Sequence, residues 1–252
     1  MFARVPGWYS FRKDRLARRF IAEGHEIAGI VVEKTGTFAM LREWVRKLGL
    51  RVVLAKAAKR LLRFLPGGSN SASKPVAASG PADPANAPFC EAPVFHVDSH
   101  NSARCKEIVS GLQADVLVLR GCGIVKGGIL SLPRYGAINP HYALLPAYRG
   151  MEVTEWSVLH GDPVAVSVHW VHEAVDAGGV IVSKRIEIEP GDSLGDLREK
   201  CAALAADLLA EALRRIDADD LRPATVSSIE GKQYFAMHPR LRALAARRLQ
   251  PG

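Results

Sequence analysis

Acidic residues are almost missing from two stretches of this 252-residue chain. From Leu41 to Leu65 eight Lys or Arg face the single acid Glu43, a charge of +7, and from Lys232 to Gly252 five basic residues meet no acid, a charge of +5. Because the whole chain carries +8, the remainder is mildly acidic, at −4. Basicity confined to two segments is not the footprint of a nucleic-acid-binding body, so nucleic acid is not expected as a partner. Cysteine is scarce as well. Cys90, Cys105, Cys122 and Cys201 show no Cys-x-x-Cys spacing, which argues against a zinc site and a disulfide framework and leaves four free thiols, with no metal expected. No run of about 18 apolar residues exists, so no transmembrane helix is expected. Residues 1–20 are rich in Arg and aromatics but lack the apolar core of a secretory signal, and Pro6 and Asp14 interrupt any organellar presequence. The default expectation is a cytoplasmic protein.

What is present is apolar content, 48% of the chain, sufficient for one large domain with an appendage. Arg15 to Glu23 reads as a helix feeding a strand at Glu26 to Val32. Residues 38–65 read as a basic helical insertion, broken at Gly49 and stopped by Pro66. Trp44, Leu48, Leu61, Leu62 and Leu65 stand among its cations, which leaves two readings: a helix packed on the domain with a solvated basic face, or peripheral contact with an anionic membrane. Residues 66–93, mostly Gly, Ser, Ala, Asn and Pro, are too poor in apolar side chains to order themselves and read as a flexible linker. Next come a strand (Val94 to Val97), a helix (Ser102 to Leu112, capped by Asn101 or Ser102) and an apolar strand (Val116 to Leu119), a unit typical of a buried parallel sheet. A strand at Ala137-Ile138-Asn139, a helix near Val153 to His160, and strands at Ala165 to Val171 and Val180 to Ile186 follow. The helix Leu194 to Ile216, opened by Asp192-Ser193, puts Leu194, Leu197, Cys201, Leu204 and Leu208 on one face to pack on the sheet. Alternating strands and helices predict an α/β fold, with residues 1–216 as the main domain and 217–252 as a short C-terminal extension.

The chemistry concentrates in Ala137-Ile138-Asn139-Pro140-His141, followed by Leu144-Leu145-Pro146 and Tyr148-Arg149-Gly150, and answered by Val175-Asp176-Ala177-Gly178. A short apolar run delivers Asn139 and His141 where Pro140 is expected to end strand geometry, so both side chains can project into a crevice. Asp176 lies 35 residues after His141, beyond a second apolar strand, in a Gly-rich turn. A hydrogen-bonding amide, a titrating base and an acid to orient it are what acyl transfer to an amine needs. Arg120-Gly121-Cys122-Gly123 closes the strand ending at Leu119, and its glycines let backbone approach a ligand closely. Cys122 reads as a small wall residue and not a nucleophile, since Arg120 is the one basic neighbour in sequence.

Asn-x-His, then Leu-Leu-Pro-x-Tyr-Arg-Gly, then Val-Asp-x-Gly resembles the formyltransferase domain shared by glycinamide ribonucleotide, methionyl-tRNA and sugar-nucleotide N-formyltransferases. The likeness runs from about Pro93 to Ile216. It implies a doubly wound, mostly parallel, Rossmann-like sheet, with Asn139, His141 and Asp176 as the catalytic trio and formyl-tetrahydrofolate as formyl donor. It further implies that Leu119, Gly121, Cys122, Gly123, Leu145, Pro146, Val175 and Gly178 line the donor site, that Tyr148 and Arg149 meet the acceptor, and that Asp176 favours protonated His141. Ala143 and Ala177 replace the Ser and Thr that many relatives carry. The chain's start departs further: Met1-Phe2-Ala3-Arg4-Val5-Pro6 is short, charged and closed by proline, which reads as a degenerate or truncated first strand. The expected acceptor is a small-molecule primary amine, a sugar nucleotide or amino acid; methionyl-tRNA, and a non-catalytic or hydrolytic folate-binding role, are the alternatives.

Overall fold

Phe2–Val5, charged and only four residues long, forms strand β1 at the centre of a sheet. The computed structural model describes residues 2–5, 15–34, 91–218 and 230–250. The basic insertion 38–65, nearly all of the 66–93 linker and Cys90 lie outside them. After β1 come α1 (Arg15–Ala22), β2 (Ile30–Lys34), β3 (Val94–Val97), α2 (Ala103–Leu112), β4 (Val116–Arg120), α3 (Gly127–Leu130) and β5 (Gly136–His141). Then follow β6 (Tyr148–Gly150), α4 (Val153–His160), β7 (Ala165–Trp170), β8 (Val180–Arg185), α5 (Leu194–Asp217), β9 (Lys232–Tyr234) and α6 (Pro239–Arg248).

Seven strands pair in the order β3-β2-β1-β4-β5-β7-β8, and β6 and β9 form a separate two-stranded sheet. The ladders from β3 through β5 are parallel; β7 and β8 are antiparallel. The chain's start thus forms a first strand, short as the degenerate-strand reading expects. Phe2, Ala3, Arg4 and Val5 pair with Val31 to Lys34, and Phe2 and Ala3 with Leu119 and Arg120, because backbone ladders on both sides can hold a strand that has no long apolar run. Strand β2 also starts later than Glu26. Its ladder opens where Ile30 donates to the Pro93 carbonyl, and it continues through Glu33 and Lys34, whose charge hid them from a hydrophobic pattern.

Alternate residues of the strands feed two cores, as a sheet covered on both faces requires. Val118 and Ile138 pack with α1 and α5, through Leu16, Phe20, Leu197 and Leu209 among others. Leu117, Leu119 and Ala137 pack on the other face with Cys105, Ile108 and Val109 of α2 and with α3. Helix α5 starts with the expected signal. The Ser193 side chain accepts from the Asp196 N–H while Asp196 accepts from the Ser193 N–H, a reciprocal capping box. Cys105, Cys122 and Cys201 are free thiols.

Candidate active site

Pro140 does not end β5. The strand runs on to His141, with Asn139 opposite His169, Pro140 opposite Val168 and His141 opposite Ser167 of β7. Pairing with β4 stops at Ile138, so Pro140 lies where β5 is laddered on one side, the position in which a missing N–H is tolerated. Asn139 and His141, two residues apart, share the face of Ala137. The loop after β7 then returns Asp176 beside them. Its φ of +48° is in the left-handed region, which a short polar side chain tolerates better than a branched one.

The carboxylate of Asp176 is divided between two histidines. Oδ2 lies 3.4 Å from His141 Nδ1 and accepts from the Gly150 N–H at 2.9 Å, while Oδ1 lies 3.5 Å from His169 Nε2. His169 Nδ1 donates to the Trp170 carbonyl (2.8 Å), leaving Nε2 between Asp176 and the Asn139 amide nitrogen, 3.4 Å away. The two imidazoles stand edge to face, 6.2 Å apart. Asn139, His141 and Asp176 thus converge, joined by a fourth group, His169, that sequence reasoning missed. A signal for it existed. In Ala165-Val166-Ser167-Val168-His169-Trp170, buried at every position, Ser167 and His169 are the polar pair at strand spacing. Ser167 helps hold the crevice: its Oγ accepts from Leu145 N–H and donates to the Ala143 carbonyl.

His141 Nε2 is 2.8 Å from the Tyr148 carbonyl, which can only accept, so Nε2 carries the proton and Nδ1 is the atom that takes the next one. Burial pushes His141 below its ordinary value of 6.5; Asp176 pulls the other way, and His169 adds to the lowering. Asp176 thus favours protonated His141, as the resemblance implies, but desolvation outweighs the carboxylate. For Asp176 burial alone would raise the carboxyl, yet contact with His169, pairing with His141 and the Gly150 N–H hold it below its ordinary 3.8. Neutral pH therefore finds a neutral base beside a carboxylate.

The other residues named from the sequence fall in three places. Gly121 (φ +57°) and Gly123 of the loop after β4 have open space where a Cβ would stand, beside exposed Ile124, with Leu119 buried behind them. Burial pushes the Cys122 thiol up to about 11, so it is no nucleophile at neutral pH. Leu145 is buried, Pro146 exposed and Val175 half-buried beside Asp176, while Gly178 owes its lack of a side chain to the Trp170 carbonyl, 1.7 Å from where a Cβ would be. Tyr148 is buried, stacked on Tyr234 at 4.9 Å, with its hydroxyl on His160 Nδ1 (2.8 Å) and on Asp162. Arg149 is buried too, donating to the carbonyls of Val175 (3.3 Å) and Gly231 (3.2 Å).

The formyl transferase family model matches residues 69–213, more than half of the chain and the whole of this crevice. The chain belongs to the formyl transferase family. Its 133-residue match to a methionyl-tRNA formyltransferase of Chlorobium chlorochromatii is 34% identical and covers 52% of this chain and 42% of that relative. The chain thus spans less than half the length of this curated relative. Two solved structures share the fold: glycinamide ribonucleotide transformylase 1 from Symbiobacterium toebii (TM-score 0.57, 19% identity, 92% of each chain) and phosphoribosylglycinamide formyltransferase from Anaplasma phagocytophilum (TM-score 0.58, 14% identity, 94% of this chain and 98% of that one). In this formyl transferase family chain, the described residues contain no helix long and apolar enough to cross a membrane.

Proposed function

We propose that this chain transfers a formyl group from formyl-tetrahydrofolate to the primary amine of a small molecule. The observation that carries the reading is the single crevice in which a neutral His141, an ionised Asp176 and the Asn139 amide meet. Asn139 donates to the formyl oxygen as negative charge gathers there. His141 takes the amine proton at Nδ1 as the new C–N bond forms, and the resulting imidazolium pairs with Asp176 Oδ2. The same proton is then available to the nitrogen that leaves the formyl carbon. The open backbone at Gly121 and Gly123, beside exposed Ile124, suits close approach of a flat donor ring. The donor brings the activated formyl carbon; orientation and proton transfer belong to the protein.

A small-molecule acceptor is supported by the −4 charge of the chain outside its two basic segments. The aminoacyl amine of methionyl-tRNA is the second reading, supported by the relative at 34% identity. Purified protein incubated with formyl-tetrahydrofolate and separate sugar-nucleotide amines, amino acids or methionyl-tRNA, with tetrahydrofolate release followed, tests both. Release with one amine class names the acceptor, release without any amine marks hydrolysis, and no release under any condition overturns the reading.

A further inference from the structure

Arg149 sits at the junction of three segments, β6, the turn that carries Asp176 and the approach to β9. It is the middle residue of β6, whose flanking residues hold the acid–base pair: the Tyr148 carbonyl takes the His141 Nε2–H and the Gly150 N–H is donated to Asp176. Its own guanidinium reaches forward to the Val175 carbonyl, one residue before Asp176, and sideways to the Gly231 carbonyl, one residue before β9. Among the described residues Arg149 forms no ion pair, although burying a guanidinium without an anion is costly. Its position is fixed from the C-terminal side as well. Tyr148, Arg149 and Gly150 pair with Lys232, Gln233 and Tyr234, and the Met151 N–H donates to the Tyr234 carbonyl. Gly150 (φ +99°) and Gly231 (φ +73°) permit this approach: a Cβ would lie 2.1 Å from the Tyr234 carbonyl oxygen and 1.8 Å from that of Pro146.

We infer that Arg149 is a positioning residue for formyl transfer, a strut that transmits the docking of the C-terminal segment at β9 to the His141–Asp176 pair. A fork-shaped donor suits this, because one planar group can hold two carbonyls at once and a lysine ammonium holds the same geometry poorly. The strut keeps the Asp176 turn against β6; without it the carboxylate loses its fixed distance to His141 Nδ1. A buried guanidinium whose donors go to backbone is not placed to meet an acceptor's anion.

The inference rests on the formyl-transfer reading, and Arg149→Lys tests it separately. In the active full chain, kcat should fall roughly tenfold or more, as a displacement near 1 Å can cause, while KM for donor and acceptor holds. The His141 ring faces Asp176, His169 and the Tyr148 carbonyl, and weakening the pull of Asp176 alone lowers its titration midpoint. A proton NMR titration of His141 should thus move to lower pH in Arg149→Lys, as in Asp176→Asn. That readout needs no turnover, so a wild type without formyl transfer sinks the function and leaves the strut measurable. Should Arg149→Lys not fold, Gly231→Ala carries the test from the other end, forcing Gly231 off Arg149 with no change of charge. A raised acceptor KM with unchanged kcat would assign Arg149 to substrate instead. Unchanged kcat and an unchanged His141 titration, with only a lowered Tm, would reduce it to a packing role.

Discussion

His141 has both ring nitrogens assigned by neighbours, one to a carbonyl and one to a carboxylate, and its charge is decided by burial. Removing the ring in His141→Ala, or the charge in Asp176→Asn, should lower turnover by roughly a hundredfold or more while circular dichroism stays native. Near-normal rates in either variant would mean the chemistry belongs to other groups. The pH dependence follows with its sign. The folded His141 titrates below 6.5, so the neutral base persists under that pH and the acid limb of kcat/KM should lie below 6.5. A limb above 6.5 would contradict it. Asp176 sets no competing limb nearby, being held ionised below its ordinary 3.8. At this scale the meeting of Asn139, His141 and Asp176 was legible because the three polar groups stand in short motifs, Asn-x-His and Val-Asp-x-Gly, on either side of an apolar strand. His169 was passed over although it forms a polar pair with Ser167 at strand spacing, because a histidine within an apolar strand reads as packing until its partner across the ladder is known.

Among elements, legibility tracked local signals. Strands β3 and β4 and helices α2, α4 and α5 were anticipated within a residue or two, since apolar periodicity and caps such as Ser102 and Ser193 mark them. Strand β6 and strand β9, three residues each and more than 80 positions apart, create one another by pairing and carry no signal of their own. Helix α6 was readable and passed over: His238 caps it, Pro239 is its first residue, and Arg247 and Arg248 close it. The capping box of α5 offers a measurement of what such signals contribute. Ser193→Ala should cost about 1 kcal/mol in denaturant unfolding without altering kcat, since the cap acts on the helix end and not on the crevice. Gly178→Ala should do the reverse of a silent change, because the added methyl meets the Trp170 carbonyl next to His169; loss of both stability and turnover is expected, and a native Tm with full activity would show that the loop can yield.

For the molecule as a whole, the α/β class followed from the alternation of elements, and the family from one cluster of residues. The order of the sheet did not. A central strand as short and charged as Phe2–Val5 exists through its two neighbours, information that no local window holds. Charge distribution makes a separate prediction at this scale. Neutralising the basic residues between Leu41 and Leu65 removes none of the groups placed in the crevice and should spare turnover on a small soluble amine. If that segment meets an anionic membrane, each Lys or Arg contributes about 1 kcal/mol, so the wild type should co-sediment with anionic liposomes at low salt and the neutralised variant should not. Equal, negligible sedimentation of both would remove the membrane reading.

The two-stranded sheet of β6 and β9 makes the working state less durable than the fold. Amides in β5 and β7, buried inside the seven-stranded sheet, should exchange with solvent only on global unfolding, whereas a ribbon of three residues per strand opens at a smaller free energy. Because that ribbon supplies the carbonyl and the N–H that pin His141 and Asp176, its fraying disarms the crevice while the larger sheet survives. Inactivation by urea is therefore expected to precede the loss of ellipticity, with deuterium uptake at residues 148–150 and 232–234 preceding that of β5 and β7.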